Sequence, residues 1–133
     1  MTPALAAAGF YAGLAMLLTI VLQGLVIRRR MTQRVSLGTG ADGTLERLVR
    51  IHGNYVENAP FVIIGMVILA LQGFASVTIH MIGGAFIAVR IAHAIGLART
   101  LGVNPGRTVG VLGTQLIMLF LAGAMIGRFL GWV

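Results

Sequence analysis

The sequence contains no cysteine and no lysine, and only three of its 133 residues are acidic. Without cysteine, a disulfide framework and a thiolate metal site are both excluded. Any thiol that takes part in chemistry on this protein must therefore come from a ligand. All ten basic residues are arginine, and they give the chain a net charge of +7.

Charged residues are scarce and apolar residues dominate. Hydrophobic residues make up 58% of the chain and charged residues 10%, which is too little polar surface for a dispersed soluble domain. The composition predicts an integral membrane protein, and the length fits a single domain, 1–133. Most arginines flank apolar segments, so we assign them to membrane topology and lipid headgroups and expect no nucleic-acid partner.

Four apolar segments are long enough to cross a bilayer as helices, at about 4–27, 48–73, 77–98 and 109–128. The predicted fold class is therefore all-α, an integral membrane four-helix bundle. The second span is atypical, because its fully apolar part, 59–71, is only 13 residues long. Its polar first third needs shielding by neighbouring helices.

Positive charge is distributed asymmetrically among the loops. Residues 28–47 carry five arginines and residues 99–107 carry two, whereas residues 72–76 carry none. The positive-inside rule therefore places the first and third loops in the cytoplasm and both termini outside. Asp42 or Thr44 is expected to cap the second helix.

The second span carries a polar stripe. Arg50, Asn54 and Glu57 are spaced i, i+4, i+7 and share one helical face, with His52 and Asn58 beside them. Ionisable groups at membrane depth are costly and mark a functional site by default. A cation, an amide and a carboxylate on one face favour a pocket for a zwitterionic ligand. The structural alternative is an ion pair between Arg50 and Glu57 that fixes adjacent helices.

Three more candidate site residues lie on or beside the later spans. Arg90 and His93 are spaced i, i+3 on span three. Arg90 either pairs with Glu57 or Glu46 across helices or holds a ligand carboxylate, and the sequence leaves both open. Arg107 begins span four, where it either sets topology or stabilises a ligand thiolate. The histidines have no spacing typical of a metal site, so no metal is expected.

Small residues recur every four positions on several spans, and the chain contains 19 glycines. Small residues at this spacing let helix backbones approach closely in lipid. We therefore expect a tight, oligomeric bundle. The stripes are Gly84, Ala88, Ala92 and Gly96 on span three, Gly9 and Gly13 on span one, and Gly123, Gly127 and Gly131 near the end of the chain.

Three patterns occur together: Glu46-Arg47-x-x-Arg50-x-x-x-Asn54-x-x-Glu57-x-x-Pro60, then Arg90-Ile-Ala-His93, and the arginine-rich end of span one. In this combination the chain resembles the MAPEG superfamily, the membrane-associated proteins in eicosanoid and glutathione metabolism, and within it the small bacterial inner-membrane branch. The resemblance covers essentially the whole chain. It implies a homotrimer in the bacterial inner membrane, with glutathione bound between adjacent subunits toward the cytoplasm.

The resemblance also implies roles for individual residues. The implied glutathione contacts are Arg30, Arg50, His52, Asn54, Glu57, Asn58, Arg90 and His93. Arg107 corresponds to the arginine proposed to activate the thiol. The chain departs from other members at Leu97, Asn58 and Val111, which stand where a tyrosine or another aromatic residue is frequent.

The function that the resemblance implies is that of a glutathione-dependent transferase or peroxidase acting on lipophilic electrophiles in the bilayer. Arg50, His52 and Arg90 would take the glutathione carboxylates, and Glu57 its ammonium or amide groups. Two other classes of protein fit the residues. One is a small proton-coupled multidrug exporter using Glu57, and the other is a non-catalytic lipid-binding or scaffold trimer.

Overall fold

The computed structural model describes residues 1–100, 102 and 104–132, which form four helices. Their bounds are α1 Pro3–Gln33, α2 Gly43–Leu71, α3 Ser76–Arg99 and α4 Pro105–Phe129. Each helix is long and apolar enough to cross a membrane, and the described residues contain no strand, so the all-α four-span prediction is confirmed. Leu101 and Val103, in the third predicted loop, and Val133 lie outside the described residues.

Side chains cap three of the four helix N-termini. The oxygens of Thr2, Asp42 and Asn104 accept hydrogen bonds from the first-turn N–H groups of α1, α2 and α4, at 3.2, 3.0 and 3.0 Å respectively. Such caps satisfy donors that have no partner within the helix. Asp42 and Thr44 were the two capping candidates for the second helix, and Asp42 is the residue that caps it.

Three helices end in the same hydrogen-bonded turn, which requires a left-handed residue after the helix. Gly73 after α2 and Gly131 after α4 fill this position with φ values of +90° and +74°. At the end of α1 the residue is Arg34, with a φ of 55°. Its turn is closed by a 3.1 Å bond from the Val35 N–H to the Arg30 carbonyl. α1 therefore continues through the arginine cluster, beyond the span end expected near residue 27.

The helices run alternately up and down, with α2 and α3 at the centre of the bundle. α1 packs on α2 and α3, and α4 packs on α3 and α2, so α1 and α4 lie on opposite sides. Tyr11 on α1 contacts His80 near the start of α3, which places these two helices parallel. An even number of crossings brings both termini to one end of the bundle. The arginine-rich connections lie at the other end, which we call the loop end.

The core consists of large side chains from the two central helices. Tyr55, Val62, Met66, Leu69, Ile79 and Phe86 are at most 1% exposed. The outer faces of α1 and α4 instead expose large apolar side chains, such as Leu17 at 60% and Leu119 at 70%. In a membrane protein such faces contact lipid or another subunit.

Glycines bring α3 and α4 into close contact. A Cβ atom at Gly110 would collide with the Cβ of His93, and one at Gly106 would lie 2.9 Å from the Ala92 carbonyl oxygen. The small-residue stripe predicted on span three therefore serves packing inside the protomer at Gly96, which is buried against α4. By contrast, a Cβ at Gly9, Gly13 or Gly123 would meet no atom within 4 Å. These three glycines face outward, whereas Gly127 of the same stripe as Gly123 is buried.

Gly110→Ala should destabilise the protein by about 1–3 kcal/mol, because the added methyl group pushes α4 away from the backbone of α3. Gly24→Ala is the matched control, since a Cβ at that helical position meets no atom within 4 Å. The control should be neutral or slightly stabilising, because alanine favours helix over glycine by up to about 1 kcal/mol. Thermal unfolding followed by circular dichroism in detergent micelles measures both. Equal midpoints would contradict the packing described.

The first loop is tied to the end of α1 by two arginines. Arg29 makes a bidentate ion pair with Asp42, with distances of 2.7 and 3.1 Å. Arg30 donates a 2.7 Å hydrogen bond to the Gly38 carbonyl. The hydrogen bond from Arg29 lowers the pKa of Asp42, helped by the backbone N–H groups at the start of α2. One carboxylate therefore both caps α2 and anchors the loop.

Asp42→Asn should keep the cap and remove the ion pair, because asparagine caps helices as well as aspartate does. A carboxylate whose pKa is lowered by folding stabilises the protein above its unfolded pKa, about 3.9, and this stabilisation is lost as pH falls through the folded value. As pH falls below about 4, the parent should therefore lose thermal stability more steeply than Asp42→Asn. Identical profiles for the parent and Asp42→Asn would contradict the Asp42 anchor.

Candidate functional site

The polar stripe on α2 faces outward from the protomer. α2 is one continuous helix through Pro60, so Arg50, Asn54 and Glu57 share a face as predicted. Arg50 and Glu57 are exposed, and Asn54 between them is half-buried. Among the described residues no ion pair joins Arg50 to Glu57, so the predicted structural alternative is not formed within the protomer.

A cleft of about 250 Å³ opens beside the start of this stripe, at the loop end of the bundle. Arg50 and Glu46 of α2 line it together with Arg107 of α4. The rest of its wall comes from Thr39, Val49 and Leu97. Two guanidinium groups and one carboxylate thus border a small concave site, which suits a ligand carrying both negative and positive groups.

The junction between α3 and α4 positions Arg107. Asn104 caps α4 through the backbone N–H of Arg107, at 3.0 Å, and donates from its own side-chain amide to the Gly96 carbonyl, at 3.1 Å. Gly96 has no side chain, so the first turn of α4 lies directly against α3. Arg107 therefore adds its charge to the positive end of a helix dipole at the cleft, a combination that stabilises an anion.

Arg90 lies deep in the bundle, with only 2% of its surface exposed. Its Nη2 donates to Asn54 Oδ1 at 2.8 Å, and its Nη1 donates to Thr114 Oγ1 at 3.3 Å. The guanidinium carbon also lies 5.5 Å from the centre of the Tyr55 ring, within cation–π range. In the described part of the chain no ion pair joins Arg90 to a carboxylate. Pairing with Glu46 or Glu57, one of the two alternatives that the sequence left open, is therefore not formed within the protomer.

His93 lies one turn further along α3 and is equally buried, at 2% exposed. Its position is fixed by packing, since its Cβ lies where a side chain on Gly110 would need to be. Its Nδ1 has no hydrogen-bond partner in the described residues, and neither has Nε of Arg90. Buried polar atoms without a partner are rare and are found where water or a ligand binds.

The remaining predicted site residues do not line this cleft. Arg30 lies in a separate cleft of about 360 Å³ with Ile27 and Arg34. His52 and Asn58 are half-buried on α2, and the Asn58 amide donates to the Asn54 carbonyl at 2.8 Å. One protomer thus brings together Arg50 and Arg107, but it holds Arg30 apart from them.

Two residues that support the site were not identified from the sequence. Tyr55 is 1% exposed, donates to the Ala15 carbonyl at 2.9 Å and stacks on Phe86. Thr114 accepts from Arg90 and donates to the Gly110 carbonyl at 2.7 Å. The position of Tyr55 directly after Asn54 could have indicated a role in the site, but a single threonine in an apolar helix, Thr114, gave no such indication.

Metal-ligating side chains do not come together in the part of the chain that the structure describes. No group of three or more histidine, aspartate or glutamate side chains is close enough there to hold a metal ion.

Comparisons with known proteins identify the family of this chain. Residues 8–127 match the model of the MAPEG family. The chain is also similar to the inner membrane protein YecN of Escherichia coli, strains K12 and O6:H1, with 36% identity over 86 residues in each case. These alignments cover 65% of this chain and 66% of YecN, just under two thirds of the relative's length. With nearly its whole length matched by the family model, this chain belongs to the MAPEG family of membrane proteins, which is associated with glutathione and eicosanoid metabolism.

Proposed function

We propose that the protein binds glutathione at the loop-end cleft and joins it through its thiol sulfur to lipophilic electrophiles, or reduces lipophilic peroxides while two glutathione molecules are oxidised to their disulfide. Membership of the MAPEG family supports the cofactor class. The absence of cysteine from the chain means that the reacting thiol comes from the ligand. The similarity to a protein named as an inner membrane protein of Escherichia coli supports a multi-pass location in the bacterial inner membrane.

The observation that carries the proposal is the convergence of Arg50, Arg107 and Glu46 on one cleft. Glutathione has two carboxylates, one ammonium group and a thiol, so its charges complement two guanidinium groups and a carboxylate. Arg50 takes a carboxylate of the ligand, and Glu46 is placed for its ammonium group. His93 borders the same junction of α3 and α4, and His52 and Asn58 lie beside the polar stripe of α2.

Arg107 acts on the thiol in this proposal. A free thiol has a pKa of about 8.5, so a shift of about two units makes the thiolate dominant at neutral pH. The guanidinium group and the positive end of α4 together favour the thiolate. The thiolate then attacks the electrophile: a sulfur–carbon bond forms, the leaving group departs with the bonding electrons, and the thiol proton passes to water. Substrates that partition into lipid reach the cleft from the surrounding bilayer.

A homotrimer completes the site. Arg50, Asn54 and Glu57 form an outward stripe on α2, and polar groups facing outward at membrane depth need a protein partner. Arg30 lies in its own cleft within the protomer, so it meets Arg50 only if a neighbouring subunit supplies it. The outward-facing glycines of α1 and α4 allow the close helix approach that such an interface requires.

Native mass spectrometry in a mild detergent should show a particle of three times the 14.0 kDa chain mass, because the outward polar stripe is shielded only in an oligomer. Cross-linking in native membranes should give the same stoichiometry. A monomer or a dimer in both experiments would overturn the trimer.

Arg50→Ala should weaken glutathione binding by ~30-fold or more, because losing one partner of a desolvated charged contact costs about 2–5 kcal/mol. Isothermal titration of the detergent-purified protein measures this affinity. Arg28→Ala is the matched control, since Arg28 is exposed and lines none of the clefts described. It should bind like the parent. Glu57→Gln should also weaken binding if the outward stripe belongs to the same site.

Arg107→Ala should reduce turnover with an aryl halide by roughly 10²-fold and change glutathione affinity by only a few-fold. This is the scale for losing one preorganised group that stabilises developing charge. The cap on α4 survives, since it uses the backbone N–H of Arg107. The ultraviolet absorbance of bound thiolate near neutral pH should disappear in the same variant. Equal turnover in the variant and the parent would remove Arg107 from the mechanism.

The outcome that rejects the enzyme is a folded parent that binds glutathione but turns over no electrophile or peroxide. The protein is then a lipid-binding or scaffold member of the family, in agreement with Leu97 in the cleft wall, where other members frequently carry a tyrosine hydroxyl. Proton-coupled export through Glu57 has no support in the comparisons. Reconstituted vesicles that fail to transport a cationic dye along a pH gradient would exclude it.

A further inference from the structure

The side-chain amide of Asn54 is held in one orientation by Arg90. A guanidinium group is a hydrogen-bond donor only, so the Asn54 atom that lies 2.8 Å from Arg90 Nη2 must be the carbonyl oxygen. The two positions of the amide group are therefore not equivalent, and the –NH₂ group points away from Arg90. The oxygen and the nitrogen of an amide have nearly the same shape, and this contact determines which of the two faces Arg90.

Two further contacts hold the Arg90 guanidinium group in place. It is 2% exposed, and Thr114 accepts its second hydrogen bond while donating its own hydroxyl to the Gly110 carbonyl. The Tyr55 ring covers the guanidinium, and the Tyr55 hydroxyl is committed to the Ala15 carbonyl. These neutral partners come from α2 and α4, so the guanidinium is held by helices on two sides.

The –NH₂ group of Asn54 has no such commitment. Among the described residues it donates to no protein acceptor, although the backbone carbonyl of Asn54 accepts from Asn58 at 2.8 Å. Asn54 is half-buried, and its –NH₂ group is not among the buried atoms that have no partner, so this donor is accessible, on the helical face that also carries Arg50 and Glu57. A partly buried donor without a partner is a place where a ligand oxygen gains a hydrogen bond.

We propose that Arg90 is a positioning residue: it turns the Asn54 amide so that its –NH₂ group donates to a carbonyl or carboxylate oxygen of the bound thiol peptide. This inference rests on the glutathione site proposed above. Arg90 then contributes to ligand recognition through Asn54, from a place in the bundle that is 2% exposed. It also makes the site selective for ligands that present an oxygen acceptor at this point, against those that present a donor.

A double-mutant cycle on Arg90 and Asn54, read by glutathione titration, tests the indirect action. Asn54→Ala should lower affinity by about 10-fold, the loss of one hydrogen bond in a partly dry site. Arg90→Met should lower it several-fold, and Arg90→Lys should recover most of that loss, because lysine also donates to the Asn54 oxygen. In the Asn54→Ala background, Arg90→Met should cost nothing further. Additive losses would mean that Arg90 contacts the ligand directly and would overturn the proposal.

Asn54→Asp supplies a readout that does not depend on glutathione. A carboxylate facing Arg90 forms an ion pair, so the variant should unfold at a temperature no lower than that of the parent, whereas the similarly sized Asn54→Leu should be destabilised. The same Asn54→Asp variant should bind glutathione at least about 10-fold more weakly, because it has lost the outward donor. Arg28→Ala is the control: Arg28 is exposed and lines none of the clefts described, so this variant should change neither the unfolding temperature nor the affinity.

The outcomes separate this inference from the proposed function. A parent that does not bind glutathione, with Asn54→Asp still as stable as the parent, overturns the glutathione site and leaves the amide orientation standing. Asn54→Asp as unstable as Asn54→Leu overturns the orientation itself. Glutathione bound equally well by the parent and by Asn54→Asp overturns the donor role of the –NH₂ group while the proposed function stands.

Discussion

A permanent positive charge at membrane depth is the constraint on which this structure depends. The guanidinium group of Arg90 is 2% exposed and carries a charge that the bilayer cannot solvate. The protein solvates it instead, with an amide oxygen from α2, a hydroxyl from α4 and the face of an aromatic ring. Arg90 therefore connects α3 directly to α2 and α4. α1 joins this arrangement indirectly, through the bond from Tyr55 to the Ala15 carbonyl.

The same requirement explains why glycine dominates the contact between α3 and α4. Thr114 can approach Arg90 only if the two helix backbones are close, and Gly96, Gly106 and Gly110 remove the side chains that would keep them apart. Close packing at this junction also sets the first turn of α4 against α3. The cleft-lining side chain of Arg107 is thus placed by the packing that serves the buried arginine. Structure and site share one set of contacts here, so changes at the junction are expected to affect both.

Charge is arranged in two layers along the second helix. Toward the bundle interior, the side-chain oxygen of Asn54 accepts a hydrogen bond from Arg90. On the outer face of the helix, Arg50 and Glu57 are exposed, and neither forms an ion pair within the described protomer. In the function proposed, a peptide ligand and a neighbouring subunit supply the missing partners of the outer layer. The first loop stands at the entrance to this region. It is anchored by Arg29 and Asp42, and its Thr39 lines the cleft.

The sequence by itself determined the four helices and the resemblance to a family, because both depend on local residue patterns. Apolar runs of bilayer length predict four spans whatever they pack against, and the i, i+4, i+7 spacing of Arg50, Asn54 and Glu57 places them on one face of any α-helix.

The sequence did not determine the partner of Arg90. Glu46 and Glu57 lie on α2, which packs against the helix of Arg90. They could pair with Arg90 only if the rotation and the relative height of the two helices brought the side chains together. The packed bundle brings Asn54, Thr114 and Tyr55 to the guanidinium instead. Helix rotation is set by the fit of whole surfaces, such as Gly110 against His93, and no short motif encodes that fit. Tertiary structure alone therefore decided that Arg50 and Arg107 share a cleft, that Arg30 lies apart from them, and that Arg90 faces an amide.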